Sequence, residues 1–240
     1  MIWNGLTIPD NPYFYDQDVV IYHADCRDIL PHLPKVDTLI TDPIWPNALP
    51  RWRHIDPMML MQEMCEALND TDRLVVQLGC DSGPRFLQVV PQRWPFLRVC
   101  WLDYACPSYK GRLLYTGDVA YAFGNPPASI PGRHVLPGKY TSRKSDELFE
   151  RHNGRNKGGR RSTARETDDI PHPAPRRLQH VQWLVWVFSD SLILDPFAGS
   201  GTTGRAAKDL GRKAILVEIE EKYCRIAAKR MAQSVMRLEA

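Results

Sequence analysis

"SLILDPFAGSGTTGRAAKDLGRKAILVEIEEKYCRIAAKRM" runs from Ser191 to Met231. It reads as strand, glycine turn, helix, glycine stop, strand, helix. Gly199, Gly201 and Gly204 match G-x-G-x-x-G; they follow the strand "LILDP" and open the helix "TTGRAAKDL". Glu218 closes the next strand. That is the context of a nucleotide-binding turn. Glycines let a backbone come close to a ligand, and a carboxylate at the end of the second strand can accept both hydroxyls of a ribose. A cofactor containing a nucleoside is expected. A Walker A loop is excluded, because no Gly-Lys-Ser/Thr follows.

Outward from this segment the same alternation continues. "VVIYHAD" (Val19 to Asp25) predicts a strand and "CRDILPHL" a short helix. "VDTLITDP" is the next strand, "PMMLMQEMCEAL" (Pro57 to Leu68) a helix with proline at its start, and "RLVVQLG" a third strand. "GPRFLQVVPQ" predicts a helix; "FLRVCWLDY" and "DVAYAFG" predict strands that pair antiparallel. "RRLQHVQWLVWVFS" reads as a helix whose Trp183 and Trp186, three apart, belong to the core. Strands alternating with helices argue for one α/β domain, a mostly parallel sheet with helices on both faces. The 240 residues suffice for it.

Composition bounds the partners. At 43% apolar and 25% charged the chain is ordinary for a soluble globular protein, and a net charge of +3 permits an acidic partner without demanding one. The N-terminus lacks a basic region followed by an apolar run, and the most apolar stretch, "VQWLVWVF", is too short to span a bilayer. A soluble, cytoplasmic protein is expected. The six cysteines form no CxxC pair and have no zinc-like spacing, so reduced, mostly buried thiols and no metal are expected. Residues 125–175 break the pattern. They are rich in Gly, Pro and Ser and carry basic residues such as Arg133, Lys139, Arg155, Lys157, Arg160 and Arg161. This basic insertion is either a solvated flexible linker or an anion-binding loop that orders on its partner.

The cofactor follows from charge. Asp195 sits at a strand's carboxyl end, where it would repel a pyrophosphate and attract an ammonium. S-adenosylmethionine carries an ammonium, a carboxylate and a ribose but no phosphate, so Asp195 and Glu218 suit it better than NAD. "DPFAGSGTT" followed by "VEIEEKYCRIAAKRM" closely resembles the cofactor segment of amino-group DNA methyltransferases, and "TDPIW" (Thr41 to Trp45) resembles their catalytic Asp-Pro-Pro-Tyr. The catalytic segment precedes the cofactor segment, which is the circularly permuted order of the beta group. "HPAPRR" (His172 to Arg177) resembles that group's His-Pro-Thr-x-Lys-Pro. Ile44 replaces the usual second proline and Trp45 the usual Tyr or Phe; Ala174 and Arg176-Arg177 also depart from the pattern. The resemblance covers nearly the whole chain apart from the insertion. It implies a single Rossmann-like methyltransferase domain using S-adenosylmethionine, held by Asp195, Phe197, Gly199, Ser200, Gly201, Thr202 and Glu218, with His172 nearby. It also places Asp25 and Cys26 near the cofactor's adenine. Asp25 reads equally well as a helix N-cap for "CRDIL".

The chemistry gives Asp42, Pro43 and Trp45 their expected roles. An exocyclic amine on a nucleobase is a poor nucleophile, and methyl transfer leaves it positively charged. The Asp42 carboxylate and the Pro43 carbonyl can accept its two N–H bonds and stabilise that charge as it develops. The base is buried in a duplex and must be flipped out, so Trp45 is expected to stack on it. The chemistry suits either base, but the resemblance implies N6 of adenine over N4 of cytosine, because relatives acting on cytosine often carry Ser at the head of the motif where this chain has Asp42. Trp45 also occurs in RNA-adenine relatives, which keeps RNA open. Carbon-5 cytosine methylation needs Pro-Cys, and the chain offers only Cys106-Pro107. Contacts to double-stranded DNA are expected at Arg51 and Arg53 in "RWRH", which also reads as a solvated loop after the catalytic turn, and at Arg155, Lys157, Arg160 and Arg161. So small a recognition region suggests a homodimer. A NAD-dependent oxidoreductase and a non-catalytic nucleic-acid-binding protein are the readings from other classes.

Overall fold

The structure, a computed structural model, describes residues 1–46, 54–68, 71–130, 135–141 and 176–233. Four strands come first: β1 (Ile2–Trp3), β2 (Leu6–Thr7), β3 (Phe14–Tyr15) and β4 (Val19–His23). Then follow α1 (Cys26–Ile29), β5 (Val36–Thr41), α2 (Pro57–Ala67), β6 (Thr71–Gly79), β7 (Phe96–Lys110), β8 (Leu113–Gly124) and β9 (Lys139–Tyr140). The chain closes with α3 (Leu178–Phe188), β10 (Leu192–Asp195), α4 (Thr202–Asp209), β11 (Lys213–Glu218) and α5 (Glu221–Met231).

Among the described residues nine strands form one sheet, in the order β3-β4-β11-β10-β5-β6-β8-β7-β9. The five strands β4, β11, β10, β5 and β6 are parallel to one another, and β8 turns antiparallel onto β6. The parallel strands are buried along most of their length because both faces are covered. One core packs α3, α4 and α5 on the sheet through Trp183, Phe188, Ala206, Cys224 and Met231. The other packs α1 and α2 on the opposite face through Cys26, Met61, Met64 and Cys65. Both tryptophans of α3 are core residues, 1% and 5% exposed. This is the expected α/β fold, helices on both faces of a mostly parallel sheet.

Three local expectations change. "GPRFLQVVPQ" winds as a 3-10 helix over Pro84–Val89. Pro91 disfavours helix at Val90, which keeps the segment short. The hairpin of β7 and β8 runs on past the expected strands to a tip at Gly111, whose φ of 59° lies in the left-handed region. The front of the 125–175 segment is part of the domain: β9 pairs with β7, Tyr140 is buried, and Ile130 and Leu136 pack against the core. Those apolar residues are too sparse to make a period, yet they cover α3, which is buried along nearly its whole length. Residues 142–175 lie outside the described set.

Candidate active site

Parallel strands present their carboxyl ends along one edge. From β10 the chain goes to β11 on one side, and from β5 to β6 on the other. The crevice between β10 and β5 is therefore the topological switch point, where open α/β sheets bind ligands. A cleft of about 610 Å³ opens there. Around it stand Asp25 and Cys26 after β4, Asp42, Pro43 and Trp45 after β5, and Asp195, Phe197, Gly199, Ser200 and Thr202 after β10, with Glu218 ending β11. Two turns from opposite ends of the chain thus face each other, and they touch: the Thr41 hydroxyl donates to Asp195 Oδ1 at 2.9 Å.

Asp195 is the junction of the cofactor half. It is 3% exposed and accepts also from the Phe197 N–H at 3.1 Å and the Thr203 hydroxyl at 2.6 Å. Burial pushes its pKa up to about 6 against these hydrogen bonds, and the nearby Asp42 charge adds to the rise. Glu218 accepts from the Gly199 N–H through one oxygen and the Glu220 N–H through the other, each at 2.7 Å. Burial raises its pKa as well. Both carboxylates therefore shape the turn itself, and each retains acceptor capacity beyond these bonds.

The glycines divide their labour differently from the expectation. Gly201 does not line the cleft: it has φ 77°, and a Cβ there would lie 2.8 Å from Ala227 Cβ on α5. A Cβ on Gly204 would lie 2.6 Å from Leu216 Cδ1 on β11. Those two make room for the protein's own neighbours, and only Gly199 meets the cleft. The Thr202 hydroxyl accepts from Arg230 at 3.1 Å.

Asp25 caps α1, accepting from the Arg27 N–H at 2.9 Å, and is also gripped by the Arg27 guanidinium, whose third nitrogen reaches Glu63 at 2.6 Å. The capping role is thus present, while the residue still borders the cleft. Burial pushes the Cys26 thiol up to about 12, so it remains a neutral wall group.

In the other half, Trp45 Nε1 donates to Asp42 Oδ1 at 2.9 Å, which fixes the carboxylate and the indole relative to each other. Asp42 is also held by Arg176, whose Nε and Nη2 donate at 2.7 and 2.9 Å. The same guanidinium lies over the Trp45 ring, 4.0 Å from its centroid. Burial pushes the Asp42 pKa up to about 6, with Arg176 opposing the rise. Sequence reasoning missed Arg176 as a site residue; its signal was the Arg in "HPAPRR" just ahead of α3. It missed Asp118 too, a buried carboxylate on β8 that meets Arg176 Nη1 at 3.3 Å. Gln77 on β6 was a third omission: it borders the cleft, and its Nε2 has no hydrogen-bond partner among the described residues. His172, Arg51, Arg53, Arg155, Lys157, Arg160 and Arg161 lie outside the described residues.

No helix among the described residues is long and apolar enough to cross a membrane. Residues 94–229 match the N6/N4 family described as DNA methylase. A type II methyltransferase of Bacillus subtilis, M.BglII, is 26% identical over 241 residues, covering 86% of this chain and 67% of that protein. The Lactococcus lactis type II methyltransferase M2.LlaDCHI is 62% identical over 39 residues, 14% of its length. Among solved structures, the M1.HpyAVI–SAM complex superposes with a TM-score of 0.61 at 21% identity, covering 90% of this chain and 100% of that one. The cytosine-N4-specific PvuII DNA methyltransferase superposes at 0.63 with 14% identity, covering 96% of this chain and 92% of that one. At these identities the superpositions speak for the fold; the family match spans more than half of the chain. The chain belongs to the N6/N4 DNA methylase family, which works with S-adenosylmethionine.

Proposed function

We propose that the protein transfers the methyl group of S-adenosylmethionine to the exocyclic amino group of a base extruded from DNA, with N6 of adenine as the favoured acceptor. The observation that carries this reading is the single cleft in which the Asp42-Pro43 turn faces Asp195, Gly199 and Glu218. The residues fit the cofactor by their chemistry. Two buried carboxylates with spare acceptor capacity suit an ammonium and ribose hydroxyls, and they oppose the pyrophosphate of NAD. When bound, S-adenosylmethionine supplies an electron-poor methyl group.

The chain's own part is to orient and stabilise. Asp42 accepts one N–H of the amino group and the Pro43 carbonyl the other. Proline restricts the backbone there, so the carbonyl is aimed in advance. As the nitrogen becomes cationic, both acceptors gain in strength, and a site away from bulk water magnifies the effect. Asp42 is thus an electrostatic stabiliser first, and the proton can leave after transfer.

Adenine is favoured by Asp at the head of the motif and by the larger face a purine offers to an aromatic. Transfer is measured on two matched DNA sets, one lacking adenine in one strand and one lacking cytosine. N6-methyladenine is expected. Recovery of N4-methylcytosine alone would reverse the base assignment and leave the amino-methylation chemistry in place.

A further inference from the structure

Arg176 stands in the seat that the functional reading gives to the base. Its Nε and Nη2 donate to the two oxygens of Asp42, and its face lies on Trp45. Only 11% of the side chain is exposed. These are the contacts an amino-bearing base would make. Adenine and cytosine each offer a planar face to an aromatic and N–H bonds, in that plane, to a carboxylate. A guanidinium is also planar and delocalised, with its N–H bonds in plane. One indole face and one carboxylate edge do not hold both groups at once.

A second carboxylate stands beside the first. Asp118 is 4% exposed, accepts from the Tyr104 hydroxyl at 2.5 Å, and lies 3.3 Å from Arg176 Nη1. Burial works against its charge, yet the His180 imidazole, the Arg176 guanidinium and the Tyr104 hydroxyl outweigh it and hold its carboxyl below the usual range. One cation therefore lies between two anions.

We propose that Arg176 is a placeholder for the target base: its guanidinium keeps the seat formed by Trp45 and Asp42 until an extruded base displaces it, and Asp118 holds it afterwards. The proposal rests on the functional reading above. Passing from one carboxylate to the other keeps the guanidinium paired, so no buried charge is stranded on the way. The device also filters. Thymine presents a carbonyl oxygen where an amino group would be, and that oxygen cannot replace an N–H donor on Asp42.

The test uses the full chain, S-adenosylmethionine, and a duplex bearing the target sequence obtained by mapping where the wild-type enzyme methylates DNA. Steady-state constants are taken at pH 8.5. R176Q should lower KM for the duplex by about tenfold, the worth of one net charged hydrogen-bonded contact. D118N should raise KM, because the displaced guanidinium has lost its second partner. The double variant should return to the KM of R176Q. A merely structural role predicts otherwise: both single variants raise KM and the double variant is no better. Affinity for S-adenosylmethionine reports whether each variant is folded. If R176Q is not, R176K, which keeps the charge but loses the planar fork, should lower KM in its place. An unchanged or raised KM in the folded variant overturns the placeholder, and so does a fall in kcat at constant KM. A wild type that transfers no methyl group to any DNA overturns the functional reading itself, and that assay is separate from the variant comparison.

Discussion

Asp42 and Asp195 both carry pKa values of about 6, against 3.8 for an ordinary aspartate, because desolvation in the cleft disfavours each charge. Asp42 has to be ionised to stabilise the positive charge that develops on the amine, and Asp195 to attract an ammonium. We expect kcat/KM to rise with pH through about 6, an acid limb that belongs to the pair. A pH-independent kcat/KM between 5 and 8 would show that neither charge matters. The same shifts act on stability. Between the unfolded value of 3.8 and the folded value of about 6 the native state holds protons the unfolded chain has lost. Stability of the cofactor-free protein should therefore fall as pH rises across that window. Asp195→Asn should flatten the fall in a thermal melt series and weaken cofactor binding, and an unchanged slope would place the charge elsewhere. Glu218 and Asp195 were legible in the sequence because strand, glycine turn and acid stand at fixed spacing. Arg176 was not, since its place depends on where the chain returns after residues 142–175, a length that carries no periodic signal.

At the scale of elements, the turn between β10 and α4 is tightly constrained. Gly201 combines a left-handed φ of 77° with a neighbour at 2.8 Å. Gly201→Ala should cost about 2–5 kcal/mol, the sum of the left-handed penalty and overpacking against α5. Chemical denaturation measures it, and a loss under about 0.5 kcal/mol, the worth of a surface change, would mean that α5 yields easily. The G-x-G-x-x-G match revealed the turn but not this division of labour. Helix and strand neighbours fix which glycine faces a ligand, and that is tertiary information. The paired strands "FLRVCWLDY" and "DVAYAFG" were legible from alternation, while β9 was not, having two residues and no period of its own.

For the whole molecule, the cleft sits where the order of strands reverses, so the first and last thirds of the sequence build one site. Cofactor binding should couple to global stability: S-adenosylmethionine at a hundred times its Kd should add about 2.7 kcal/mol, and NAD should add nothing. DNA affinity belongs to this scale as well. If Arg155, Lys157, Arg160 and Arg161 contact phosphates, log K should fall with log salt by about 0.9 per phosphate neutralised, and replacing all four should flatten that slope. An unchanged slope would assign the contacts to other basic residues.

The proposed role of Asp42, which faces the cofactor turn, is to promote methyl transfer to a base amino group. It is tested most directly by mass spectrometry of nucleosides from DNA incubated with the protein and S-adenosylmethionine labelled in its methyl group. Labelled N6-methyladenine is expected with the wild type. A loss of at least about 10²–10³ in rate is expected with an Asp42→Ala variant that still binds S-adenosylmethionine. No labelled aminomethyl base with the wild type, or near-normal label with Asp42→Ala, would contradict it.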